Sequence, residues 1–407
     1  MTRKTQPDRS TVKMTATAII GLLILSFALR PAIISIGPVL LAIQGEFKLS
    51  FAQASLLTTI PDLCMGVFAL IAPWVANRLG GDRAVVVALL VLCVAIILRA
   101  FSVSTYSLLT TTVLSGIGIA VAGSLVGGWV KMHFPHKASL LMGVYATGLS
   151  VGSTAAAIFS GPIAEYTGSW RAGVGVWAVL CISAVISWLV LGKLFNHPST
   201  PPLRAPKPVR LPWKNLNAWA IATYFGCSQF LTYALLAWIA PLAAQTNIAE
   251  INPGLLLGFY TLISAVANML MGVVAGGSLN KHKWLALAAL MTILGVTGLA
   301  LAPQVAPTVF IGMAGLGLGA AFTLGMTLPI DQTSSPAEAN AWTVFTLFIG
   351  YLVAALGPLC FGILRDYSGA YSEPLCLLLG VAIVMLCSIS LLQPLTVAEE
   401  QTQPVCD

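Results

Sequence analysis

Apolar residues run through this chain in long unbroken stretches, near 14–43, 51–77, 84–102, 106–130, 139–164, 171–194, 217–245, 254–279, 284–302, 305–330, 339–364 and 371–393. Each approaches or exceeds the roughly 20 residues that a helix needs to cross the hydrocarbon of a bilayer. Strands of a membrane barrel would be about half as long and would alternate apolar with polar positions. These stretches do neither, so the pattern predicts an all-α membrane protein with twelve transmembrane helices. Glycines at helical spacing, Gly123 with Gly127, Gly272 with Gly276 and Gly315 with Gly319, predict places where helices approach closely.

One segment interrupts the pattern. Residues 196–215 carry Pro198, Pro201, Pro202 and Pro206 and run through basic residues to Lys214, so they cannot span. The expected plan is a six-helix bundle over 1–195, a linker over 196–215, a second bundle over 216–395 and a tail over 396–407. The halves echo one another. Gly116-Ile-Gly118-Ile in the fourth stretch matches Gly315-Leu-Gly317-Leu in the tenth. Gly161-Pro162, then Glu165-Tyr166-Thr167-Gly168-Ser169-Trp170, matches Gly357-Pro358, then Asp366-Tyr367-Ser368-Gly369-Ala370-Tyr371. Two parallel six-helix repeats place a solute site between the halves and predict alternating access.

Composition agrees with this. Of the 407 residues, 58% are hydrophobic and 8% charged, and mean hydropathy is +0.92. A soluble protein carries about a quarter charged residues; here the outer surface must face lipid. With the N-terminus inside, 15 of the 20 Lys and Arg fall in cytoplasmic segments, among them Arg3, Lys4, Arg78, Arg83, Lys131, Lys137 and the linker's basic run. The outer loops hold only Lys48, Arg171 and Arg365. This positive-inside bias predicts an inner-membrane, multi-pass protein with both termini cytoplasmic. The +7 net charge is thereby a topology signal, and no basic domain exists for nucleic acid. The first apolar stretch runs well beyond the 7–15 residues of a signal-peptide core and is expected to stay as helix 1. Seven of the eight cysteines lie inside spans without metal or redox spacing, which predicts packed free thiols.

Length, the six-plus-six plan and the central linker resemble the major facilitator superfamily over the whole chain. The family's loop signature between helices 2 and 3 is altered here, as Pro73-x-x-x-Asn77-Arg78-Leu79-Gly80-Gly81-Asp82-Arg83, with Gly276-x-x-x-Asn280-Lys281-His282-Lys283 in the second half. Asn stands where the family has an acid. More narrowly, the chain is similar to the cyanate and 2-nitroimidazole transporter branch. The similarity rests on Leu29-Arg30-Pro31 with Ser35-x-Gly37-Pro38, Leu56-Leu57-Thr58-Thr59-Ile60-Pro61, Lys131-x-x-Phe134-Pro135, and Gly350-Tyr351-Leu352 running to Gly357-Pro358. The resemblance implies ATP-independent movement of small, often anionic or weakly acidic solutes.

Ionisable groups inside a span cost about 2.5–3.5 kcal/mol even on insertion scales, so they mark function by default. There are three: Arg30, Asp62 and Arg99. Arg30 is the leading substrate ligand, because a guanidinium is always charged and offers several fixed donors to a small anion. The bland alternative is a permanent pair with Asp62, or bonds to carbonyls freed by Pro31 and Pro38. Asp62 shares a polar stripe with Ser55, Thr58 and Thr59 and is a candidate proton-coupling group. Arg99, near the outer end of its helix, is expected to reach out to the interface. Tyr145, Gln229, Tyr233, Asn268 and Tyr351 are further candidates for the cavity wall, each weighed against ordinary interhelical hydrogen bonding. Glu165, Asp331, Glu338 and Asp366 are expected at helix ends or in loops, as solvated ends first and as gating or capping groups in the alternative.

Other classes fit poorly. Gly148-Leu149-Ser150-Val151-Gly152 matches a nucleophile elbow, but that motif needs a strand-to-helix turn and a histidine. All four histidines, His133, His136, His197 and His282, fall at the cytoplasmic side, leaving no buried base or metal ligand. No phosphate-cradling loop is present for an ATP-driven pump. The expected protein is a monomeric secondary transporter of a small molecule in the lipid bilayer, with no cofactor or metal and with protons as candidate coupling ion. The leading solute is a small cyanate-like or carboxylate-like anion. The alternative is efflux of neutral heterocycles such as nitroimidazoles, with Arg30 locked to Asp62, and a channel is a minor one.

Overall fold

The computed structural model describes residues 9–134, 137–195, 211–246, 252–274, 281–333 and 335–393. Among these residues, twelve helices are long and apolar enough to cross a membrane: span 1 (Ala16–Phe47), 2 (Phe51–Leu79), 3 (Gly81–Ala100), 4 (Thr105–His133), 5 (Leu140–Thr167), 6 (Trp170–Phe195), 7 (Leu216–Thr246), 8 (Pro253–Val274), 9 (Lys281–Leu301), 10 (Pro307–Asp331), 11 (Glu338–Ser368) and 12 (Ser372–Leu391). They form two repeats of six. Most of the expected linker, 196–210, lies outside the described residues, as do the tail, Pro135, Gly276 and Asn280.

Lipid-facing stripes follow from helical periodicity. On span 6, Val179, Ile182, Ile186, Leu189, Val190 and Leu194 are exposed at intervals of three and four, and Val87, Leu90, Val94 and Leu98 repeat this on span 3. Such a stripe on a helix in a bilayer meets acyl chains. Span 7 is the reverse, with most of its length buried inside the protein.

The glycine echo has a structural meaning. A methyl on Gly116 would lie 2.9 Å from Pro61 Cα of span 2, and one on Gly118 would lie 2.8 Å from the Ala88 carbonyl of span 3. In the second repeat Gly315 faces Tyr260 of span 8 and Gly317 faces Ala288 of span 9. Spans 4 and 10 are thus each wedged between two neighbours by glycines two residues apart, which point to different sides of one helix. Gly315 and Gly319 form the close-packing pair expected of them, against Tyr260 and Ser264 of span 8. Gly123 and Gly127 do not. A methyl on Gly127 would meet nothing within 4 Å, and one on Gly123 would meet only the Tyr145 hydroxyl, at 3.3 Å. Gly128 and Gly143 likewise border open space. The same spacing therefore serves a helix seam in one repeat and borders open space in the other.

The repeats meet along spans 2 and 11, spans 5 and 8, and spans 1 and 7. The contacts concentrate at the end away from the linker, here the far side. A methyl on Gly362 would sit 2.6 Å from the Phe51 carbonyl, and the Phe51 ring lies 5.7 Å from that of Trp238 and under the Arg365 guanidinium at 4.8 Å. Phe51 and Ala52 donate their backbone N–H groups to the two oxygens of Asp366, at 2.7 and 2.8 Å. Ser50 accepts the N–H of Gln53, so the first three N–H groups of span 2 all find acceptors, two of them from the other repeat. Asp366 is therefore a cross-repeat cap rather than a merely solvated helix end. Asp331 also differs from expectation, pairing with Lys281 across spans 9 and 10. On the other seam the Thr154 and Thr261 hydroxyls bond at 3.0 Å.

Candidate functional site

Span 1 is not one continuous helix. It breaks at Arg30 and again at Ser35, with a four-residue turn, Pro31–Ile34, between. Pro31 has no N–H to donate and Pro38 removes another a turn later, so the backbone ladder is weak where the charge sits. Arg30 stands at the head of this turn, half-buried, and its Nη1 donates to the Tyr233 hydroxyl of span 7 at 3.1 Å. Tyr145 of span 5 and Tyr351 of span 11 lie within electrostatic reach of the same guanidinium. Both repeats thus contribute phenols around one cation.

Asp62 is also within reach of Arg30, yet no ion pair joins them among the described residues. Asp62 is 0% exposed, and neither carboxylate oxygen has a hydrogen-bond partner. Thr59 and Ser35 nearby in sequence to these groups are buried with unpartnered hydroxyls as well. A buried polar group without a partner is costly, which makes this stripe of span 2 the polar interior of the first repeat.

The second repeat supplies mainly aromatic surface. The rings of Tyr233 and Tyr351 meet edge to face at 6.3 Å, and Phe225 meets Tyr351 at 6.5 Å. Gln229, one turn from Tyr233, is 3% exposed and its Oε1 is unpartnered. Asn268 stands apart, because its Oδ1 accepts from Thr323 of span 10 at 2.7 Å. That is an interhelical bond within the second repeat. The structure thus gathers Arg30, Asp62, Tyr145, Tyr233 and Tyr351, keeps Gln229 on the Tyr233 face of span 7, and ties Asn268 to its own bundle.

Arg99 departs from expectation. It is 0% exposed instead of reaching the interface. Nη1 donates to the Ala32 carbonyl at 2.7 Å, and Nη2 donates to Ser115 at 3.0 Å and to Thr112 at 3.4 Å. The turn in span 1 offers an inward acceptor, and two hydroxyls of span 4 complete the cradle, so the side chain bonds inward. The Gly148–Gly152 pattern is a packing surface: Gly152 lies against the Phe27 carbonyl and Gly148 against Ser26, both of span 1.

The profile of the Major Facilitator Superfamily matches residues 22–358. This chain belongs to the major facilitator superfamily. It is 28% identical to the cyanate transport protein CynX of Escherichia coli (strain K12), over 86% of this chain and 90% of that one. It is 29% identical to the 2-nitroimidazole transporter of the same organism, over 90% and 92%. Among solved structures, a bacterial homologue of the human lysosomal transporter Spinster, inward-facing and occupied, superposes with a TM-score of 0.73 at 16% identity, covering 95% of this chain and 96% of that one. The family is one of small-solute transporters embedded in the membrane, and the superposition extends the common fold over both repeats.

Proposed function

We propose that this protein is a secondary active transporter that moves a small cyanate-like or carboxylate-like anion across the inner membrane by alternating access. The observation that carries this is Arg30: a guanidinium at the contact between the repeats, bonded to a phenol and, among the described residues, paired with no carboxylate. A charge so placed needs a counter-charge, and a solute anion held between two repeats supplies one. Arg30 can offer two parallel N–H donors to such a group, while the phenols of Tyr145, Tyr233 and Tyr351 both donate and accept. The name of the cyanate relative supports a small anion, and that of the 2-nitroimidazole relative supports a small solute without requiring a charge.

With the N-terminus inside, the far side is the outside, and the present conformation is closed outward. The open space beside Gly123, Gly127, Gly128 and Gly143 then belongs to the cytoplasmic vestibule. The bundles on either side of the linker rock about the site. Asp62 is the coupling group in this reading, since a proton on its carboxylate and an anion on Arg30 interact through the same short stretch of low-dielectric interior.

Uptake of labelled cyanate into proteoliposomes tests the reading. Arg30→Ala is expected to abolish saturable uptake while the purified protein keeps its thermal unfolding profile. Full retention of uptake by a folded Arg30→Ala protein would remove Arg30 from the site. A second reading, export of flat neutral heterocycles, draws on the aromatic wall of Phe225, Tyr233 and Tyr351. It predicts instead that N-methyl-2-nitroimidazole, which cannot ionise, competes as well as any anion.

A further inference from the structure

Arg99 is a second guanidinium in the first repeat, fully buried, and every acceptor it bonds is neutral. Its Nε has no hydrogen-bond partner among the described residues. A structural tie between spans 1, 3 and 4 needs only a donor, which a neutral amide would supply. Burying a full charge against neutral acceptors costs far more than burying an amide, so the positive charge itself calls for a reason.

Two features of the surroundings supply it. The carbonyl that Arg99 grips belongs to Ala32, in the four-residue turn headed by Arg30. The backbone that presents Arg30 is therefore held from behind by Arg99. The interior charges of the first repeat are Arg30, Arg99 and Asp62, and the second repeat has no charge in mid-span. Asp62, the one interior acid and within reach of Arg30, can offset at most one of the two cations. The other leaves the interior net positive, and it lies where no solute touches it, behind the turn and 0% exposed.

We propose that Arg99 is a positioning residue for anion recognition: it fixes the turn that carries Arg30 and supplies the uncompensated positive charge that draws an anion to the site. The proposal rests on the anion reading of Arg30 given above. Fixed charges in a low-dielectric interior act beyond contact distance, because little water screens them.

The test is binding to purified protein by calorimetry, with cyanate, nitrate, formate and acetate as anion probes and N-methyl-2-nitroimidazole as a neutral one. Arg99→Gln keeps donors for Ala32 and Ser115 and loses the charge; Arg99→Lys keeps the charge. The Gln variant is expected to weaken anion affinity about tenfold, toward the lower end of the roughly 5–150-fold couplings between separate sites, and to leave the neutral probe within twofold. The Lys variant is expected to recover most of the anion affinity. Equal weakening of both probe classes, or anion affinity in Arg99→Gln equal to the parent's, overturns the proposal. Should Arg99→Gln fail to fold, Arg99→Lys decides alone, since loss of anion binding in a folded protein that retains the charge also overturns it. Arg30→Gln run beside these separates the two ideas. Undiminished anion binding in that variant, or a parent protein that binds none of the four anions, overturns the anion reading and this proposal with it. Loss in Arg30→Gln with no change in Arg99→Gln leaves the anion reading standing and removes only the role of Arg99.

Discussion

Removing the carboxylate of Asp366 should open the side of the protein that is closed in this structure. The group accepts the Phe51 and Ala52 N–H groups at 2.7 and 2.8 Å, and both belong to the first turn of a helix in the other repeat. Losing a side-chain helix cap costs about 0.5–2 kcal/mol, and losing a negative charge from a helix N-terminus costs a further ~0.3–1 kcal/mol. The contact is solvent-exposed, so the lower part of each range applies, about 1–2 kcal/mol in sum. These bonds exist only while spans 2 and 11 are closed on the far side, so the loss falls on that conformation alone. The ratio of closed to open protein should then fall about five- to thirtyfold.

Electron–electron distance measurement can read this directly. Tyr166 and Tyr367 sit at equivalent far-side ends of spans 5 and 11 and are 94% and 91% exposed, so spin labels there disturb no packing. In a background freed of native cysteines, Asp366→Ala should raise the ratio of long-distance to short-distance populations by the factor above. Glu165→Ala is the matched control. Glu165 occupies the corresponding place in the first repeat, but its carboxylate caps no helix among the described residues, and its loss should change nothing. An Asp366→Ala distribution that superposes on the parent's would refute the reasoning.

Three further outcomes are expected. Asp62→Asn should flatten the pH dependence of net cyanate uptake while exchange of internal for external cyanate continues; an unchanged pH profile removes Asp62 from coupling. Asn268→Ala should lower thermal stability by about 0.6 kcal/mol, the typical worth of an interhelical hydrogen bond in a membrane, with the uptake KM unmoved; a shifted KM would place Asn268 at the solute after all. Gly319→Val should leave little folded protein in detergent by size-exclusion chromatography, because the new side chain meets Ser264 of span 8, whereas Gly127→Ala, facing open space, should fold normally.

Bilayer thickness makes much of this fold legible in the chain. Twelve apolar stretches of spanning length leave little choice of architecture, and Arg30 stands out because charge is expensive in hydrocarbon. Its neighbours Pro31 and Pro38 also announce the break that presents it. Contacts between distant stretches are what sequence withholds. Arg99 reads as an interfacial residue from its place near the end of span 3, and only the folded chain brings the Ala32 carbonyl and Ser115 to it. Asp366 reads as a solvated helix end, and its partners Phe51 and Ala52 lie in the opposite repeat. Gly123 and Gly127 have the spacing of Gly315 and Gly319, but spacing does not say whether a helix face meets a neighbour or a cavity.

The echo between the halves shows how far symmetry of sequence carries into symmetry of action. The seams of spans 2 with 11 and 5 with 8 correspond under the repeat, and the matching motifs place Asp366 and Glu165 in equivalent positions. Yet the first N–H groups of span 8 include one with a local acceptor, since Asn252 takes the Gly254 N–H at 2.8 Å, whereas on span 2 the local Ser50 cap takes the Gln53 N–H and Asp366 takes the Phe51 and Ala52 N–H groups from across the seam. The first seam thus adds a carboxylate on a helix terminus to the packing of Gly362 on the Phe51 carbonyl, while the second is held by the Thr154–Thr261 hydroxyl pair and by Gly254 lying close to the Ala157 carbonyl. Charge on an exposed helix end is weakened by salt, while neutral hydrogen bonds and close packing are not. Salt should therefore weaken the Asp366 contribution to the first seam and leave the contacts of the second unchanged.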